Sequence, residues 1–137
     1  MGAILDTKRA VERRIKNAFP TTKIAFEGAS FTAPNNEMYL AVNFRVNSPT
    51  DPTFNRWYYR ENITCNIFIC DVPNKGTANA IAKAEEVRTL LDKGTFLLEG
   101  TTRIHVLETP QIAGSSIAID RVIVPVLVSL TAEVTRE

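Results

Sequence analysis

The chain has 137 residues, of which 45% are hydrophobic and 23% charged, and its formal net charge is +1. That length fits one domain spanning the whole chain, and the apolar share is enough for a packed core. A near-zero charge provides no global field to select nucleic acid or an anionic membrane, and no apolar run reaches the ~18 residues of a spanning helix.

The N-terminal apolar patch precedes its charges, the reverse of a secretory signal, so synthesis in a cytoplasm is expected. Ile4 to Phe19 reads as a helix with the stripe Ile4, Val11, Ile15 and Ala18, ended by Pro20. It carries Lys8, Arg9, Arg13, Arg14 and Lys16 against Asp6 and Glu12. Such a local excess of positive charge can contact phosphates, or it can be an ordinary solvated face. Lys23 to Glu27 is a short strand, and Thr32 to Glu37 a loop. Met38 to Val46 alternates strictly, with Met38, Leu40, Val42, Phe44 and Val46 on one face. Asn47 to Arg56 is a loop carrying Pro49 and Pro52.

Trp57 to Asp71 reads as a long strand with Ile63, Ile67 and Ile69 on one side. It starts in an aromatic cluster, Trp57-Tyr58-Tyr59, flanked by Arg56 and Arg60. Those residue types dominate protein interfaces, and they also stack single-stranded bases. Cys65 and Cys70 fall on opposite faces of this strand, about 16 Å apart along it. A disulfide spans at most about 7 Å between Cα atoms, so both read as free, buried thiols.

Pro73-Asn74-Lys75-Gly76 breaks the strand. Thr77 offers a hydroxyl as N-cap to a second helix, Ala78 to Leu91, with the stripe Ile81, Ala84, Val87 and Leu91. Lys93-Gly94 stops it. Thr95 to Glu99 and Thr102 to Glu108 form a hairpin about Gly100. Thr109 to Ser115 is a loop. Ser116 to Thr131 then reads as one strand of about 50 Å, in a domain only about 35–40 Å wide. Either it bends, with Pro125 the natural place, or part of it pairs with a neighbouring copy. The order α-β-β-β-α-β-β-β implies an α+β fold, two helices packed on a mostly antiparallel sheet.

No catalytic or metal-binding set assembles from these residues. His105 has no nucleophile or carboxylate beside it in sequence. Asn74-Lys75-Gly76 lacks the first glycine of a phosphate loop. With two cysteines and one histidine, a zinc site has little support, and neither cofactor nor metal is expected.

The sequence resembles one known family along nearly its whole length. The basic helix leads to KIAFEG, FTAPNNE and MYLAVNFRV. Next come a Pro-rich loop and CNIFICDVPNKGTANAIAKAEEVRTLL, then KGTFLLEG, TRIHVLETPQIAG and the closing IDRVIVPVLVSLTAEV. In this order they are similar to the tail terminator proteins of long-tailed bacteriophages, of the lambda-like minor tail protein type. The resemblance implies a virion protein without enzymatic activity, a hexameric ring on the head-proximal end of the tail. Its implied partners are other copies of itself, the tail tube protein, the head connector protein and, non-specifically, the passing DNA, with no membrane. On that reading Val122, Val124, Val126, Val128, Trp57 and Tyr59 are candidates for the subunit interface. Arg9, Arg13, Arg14 and Lys16 are candidates for DNA or partner contact, and Pro49, Asp51, Pro52 and Phe54 for a docking loop. A phage neck or head-completion protein, or a small nucleic-acid-binding domain using the basic helix and the Trp57 cluster, are the alternatives.

Overall fold

The structure, a computed structural model, describes residues 2–34, 36–54, 56–73, 76–118 and 121–135. Helix α1 (Ala3–Ala18) is followed by β1 (Lys23–Phe26), β2 (Tyr39–Val46) and β3 (Tyr58–Asp71). Helix α2 (Ala78–Leu90) separates these from β4 (Phe96–Glu99), β5 (Thr102–Val106), β6 (Gln111–Ile112), β7 (Ser116–Ala118) and β8 (Arg121–Thr135). The strands form one sheet in the order β1-β2-β3-β8-β5-β4, with β6 and β7 also paired to β8. The β1–β2 pair is parallel, and the others are antiparallel. The α+β class therefore holds, with more strands than expected.

The core lies between one sheet face and the two helices. Alternate residues of the central strands supply it: Leu40 and Val42 from β2, Ile63, Cys65, Ile67 and Ile69 from β3, Val124, Val126, Val128, Leu130 and Ala132 from β8. Val11 and Ile15 of α1 pack onto this face, as do Ala80, Ala84 and Val87 of α2. Both helix stripes are rotated from the expected ones. In α1, Ile4 and Ala18 lie outside the core, while Asp6 and Thr7 are buried. Asp6 is tolerated there because it accepts the Thr102 hydroxyl at 2.7 Å, and the Thr7 hydroxyl donates to the Ala3 carbonyl at 2.7 Å. In α2, Ala80 takes the inward place expected of Ile81. Thr77 does not cap the helix with its side chain; its carbonyl instead accepts the Ile81 N–H at 2.9 Å. Asn74 and Lys75, the middle of the expected break, lie outside the described residues.

The largest correction concerns the C-terminal segment. It is two strands, β7 folding back on β8 with Ser116 opposite Ile123 and Ile117 opposite Val122. The loop expected at Thr109 to Ser115 contributes the short strand β6 to the same edge. Strand β8 runs on to Thr135 because the inward alternation continues and β3 matches it back to Tyr58. One side of β8 pairs with β3, and the other meets β7, β6 and β5 in succession. Pairing with a neighbouring copy is thus not what covers this strand. Pro125 needs no break either. Its carbonyl accepts the Ala113 N–H at 2.9 Å on the β6 side. The missing N–H points the same way, into the gap between the β6 and β7 pairings, so the ladder to β3 is untouched.

Candidate interaction surfaces

The four valines expected at a subunit boundary are in the core of their own chain. Val124, Val126 and Val128 are buried in the core cluster with residues of β3, α1 and α2, and Val122 is buried opposite Asp71 of β3. The apolar segment that made this chain look incomplete is therefore satisfied internally. The outside of the fold carries three exposed features.

The first is the hairpin loop between β2 and β3. Thr50 and Arg60 exchange backbone hydrogen bonds at 2.8 Å, and the Asn62 amide donates to the Ser48 carbonyl and the Thr50 hydroxyl. The base of the loop is thus fixed to β3; Pro49 is exposed within that base, and Asp51, Pro52 and Phe54 are exposed beyond it. Phe54 is fully exposed, and Trp57, just beyond, is 53% exposed with the Arg56 guanidinium over its ring at 5.8 Å. Tyr59 is half-buried.

The second is an apolar cleft of about 420 Å³ between the first turns of α1 and the ends of β2 and β3. Ile4, Leu5, Phe44, Val46 and Ile63 line it, with Lys8 and Glu27 at its rim. The third is the pair of open sheet edges. Strand β1 pairs only with β2, and β4 only with β5, so among the described residues the outer side of each carries no strand. Edges of this kind invite pairing with another chain. On β4, Phe96 and Leu98 are left exposed.

The basic face of α1 is less free than its sequence implied. The Arg13 guanidinium binds the Glu99 carboxylate through two hydrogen bonds, at 2.7 and 3.0 Å. That partner holds the Glu99 carboxyl below the ordinary carboxylate range. Arg14 donates to the Leu90 carbonyl at 2.9 Å, and Lys8 lies 3.6 Å from Glu27. Burial raises the Glu12 carboxyl, which Lys8 partly offsets. Arg9 and Lys16 are exposed.

His105 does have a carboxylate partner, brought from far along the chain. Its Nε2 is 3.3 Å from Glu133, whose other oxygen accepts the Tyr58 hydroxyl at 2.9 Å. The Tyr58 hydroxyl in turn accepts from Arg60 Nε at 3.0 Å, and Phe96 lies against the imidazole, ring centroids 5.1 Å apart. The Tyr58 hydrogen bond, then that from His105, hold the Glu133 carboxyl below its ordinary range. The network ties four strands together on the outer face. The sequence signal that would have found it is the shared outward parity of Tyr58, His105 and Glu133, legible only once the strand register is known.

Cys65 and Cys70 are both free and buried, as expected, and burial pushes both thiols up. Among the described residues no group of three or more His, Cys, Asp or Glu is placed to hold a metal ion. Among the described residues no helix is long and apolar enough to cross a membrane.

A family model for phage tail terminator protein matches residues 6–130, from the first turn of α1 to near the end of β8. No match was found among curated proteins. One solved structure superposes with a TM-score of 0.73 over 96% of this chain and 96% of its own, at 18% sequence identity. At that identity the likeness is one of fold.

Proposed function

The chain belongs to the phage tail terminator family, and from that membership we propose that it caps the head-proximal end of the tail tube as a ring. In that place it ends tube polymerisation and gives the head connector its docking surface. The family is one of structural virion proteins, and the match over residues 6–130 is the observation that carries the reading.

The surfaces described above supply parts such a ring needs. Contacts between unlike patches of identical subunits close into a ring when the rotation between neighbours is right. The open edges of β1 and β4 are unlike patches of one sheet, and each is short enough to be paired fully by the other. The apolar cleft beside α1 adds area to a neighbour contact; obligate interfaces often bury about 2,000 Å² or more. The loop bearing Pro49, Asp51, Pro52 and Phe54 projects from one end of the sheet, as a contact to tube or connector requires.

Phage produced without this chain tests the reading. Electron micrographs should then show tail tubes of uncontrolled length that fail to join heads, and added purified protein should restore both. Annuli seen on the capped tube ends would give the subunit number. Normal tails joined to heads in the absence of this chain would refute the proposal.

A further inference from the structure

Resting on the reading of a ring through which DNA passes, we propose that the surface meeting duplex DNA is the outer face of the sheet, where β2, β3, β8 and β5 lie side by side, and not the basic face of α1. Strand register places this surface. Arg60 of β3 and Arg103 of β5 both stand opposite Glu133 of β8, on either side of it. Two strand spacings separate them, about 10 Å. Arg45 of β2 shares the same parity through its partner Thr64. All three arginines are exposed.

Apart from Glu133, the side chains in register between them, Asn62, Thr64, Ser129 and Thr131, are polar and uncharged. Asn66 donates to Asn43 at 3.0 Å, and Thr64 and Ser129 are neighbours in register. Among the described residues of these rows Glu133 is the one carboxylate, and Tyr58 and His105 already occupy its oxygens. Three arginines against one carboxylate leave this patch formally +2, in a chain whose total is +1. On α1, by contrast, Arg13 and Lys8 each stand against a carboxylate.

The chemistry fits a phosphate backbone better than a protein partner. The centre of a protein interface is depleted of charge, whereas the row about Glu133 carries two arginines on neighbouring strands and Arg45 shares their face. Amides, hydroxyls and guanidinium groups are the donors that contact phosphate and sugar without reading sequence. Binding should be weak and salt-sensitive, which suits DNA that must move past.

Fluorescence anisotropy with a labelled duplex of arbitrary sequence tests this on the full chain. At about 50 mM salt the wild-type protein should bind, and log affinity should fall with log salt at a slope of roughly −2.7 for three phosphate contacts. Replacing Arg45, Arg60 and Arg103 together by Gln should weaken binding at least about tenfold and remove most of that slope. Replacing Arg9 and Lys16 by Gln should change it less than about twofold. Matching thermal midpoints confirm that both variants fold. Equal losses in the two variants, loss only in the helix variant, or no binding by the wild-type chain would each overturn the proposal. Failure here with normally capped tails would leave the terminator reading standing; normal tails without the chain would remove that reading whatever the anisotropy showed.

Discussion

Asp6 occupies a place on α1 that an apolar residue would normally hold, and its carboxylate meets the Thr102 hydroxyl at the start of β5. This contact joins the first helix to a strand almost a hundred residues later, and no spacing rule foresees it. Removing one partner strands the other in a buried site. We expect Asp6→Ala to destabilise the fold by about 1–3 kcal/mol. Thr102→Val in the same chain should recover part of that loss, since both polar groups are then gone; a urea double-mutant cycle measures it. Glu133 gives a second residue-scale expectation. Its folded carboxyl titrates below the ordinary value, so its contribution is present above that value and is lost as pH falls through the folded one. Thermal midpoints followed down the acid range should decline for the wild type. Glu133→Gln should flatten part of that decline; an unchanged acid limb would show that the network adds nothing to stability.

Elements with a clear period were legible from the sequence. The alternation of Leu40 and Val42 and the run Ile63, Ile67, Ile69 gave β2 and β3 within a residue, and Pro20 and Gly94 bracketed the helices. Legibility failed where tertiary contact overrides local pattern. Ser116 to Thr131 carries apolar residues on both faces, which cannot distinguish one long strand from a hairpin, and only the pairing of Ile117 with Val122 decides it. The rotation of α2 follows from close packing, since Ala80 permits an approach to the sheet that Ile81 would block. The β2–β3 loop was legible as a loop, but its fixed base was not, because Asn62 lies in the strand that anchors it. That geometry sharpens the expectation for this element. Replacing residues 48–55 with a tight turn removes the Thr50–Arg60 bridge but no core residue, so the thermal midpoint should fall by only a few degrees, about 1 kcal/mol. Tail completion should fall much further. Full completion by the shortened protein would exclude the loop from docking.

For the whole molecule, the sequence argued for assembly from a strand that the structure encloses. The long apolar segment is enclosed by its own chain, and the unsatisfied features are the two short strands that end the sheet. Neither stood out beforehand, because an edge is a property of strand order and not of any one segment. Past β1, the Glu27 carboxylate accepts the Phe44 N–H of β2 at 2.8 Å, and the outer side of β1 stays open. On β4, Phe96 and Leu98 are 50% and 60% exposed on an edge that nothing described covers. Natural edges are usually protected by charge, and lysine in particular discourages pairing. Phe96→Lys with Leu98→Lys therefore tests the ring contact directly. Both side chains are outside the core; loss of the Phe96 contact with His105 should cost about 1 kcal/mol and Leu98 about 0.5 kcal/mol, so the isolated chain should still fold. Ile117→Lys, at an 81% exposed position on β7, is the matched control elsewhere on the surface. With the β4 pair changed, annuli on tube ends should disappear and tubes should overrun their length, while the control assembles normally. Annuli of undiminished number in the β4 variant would mean that neighbouring subunits meet through another surface, and the cleft lined by Ile4, Leu5 and Val46 would be the next to change.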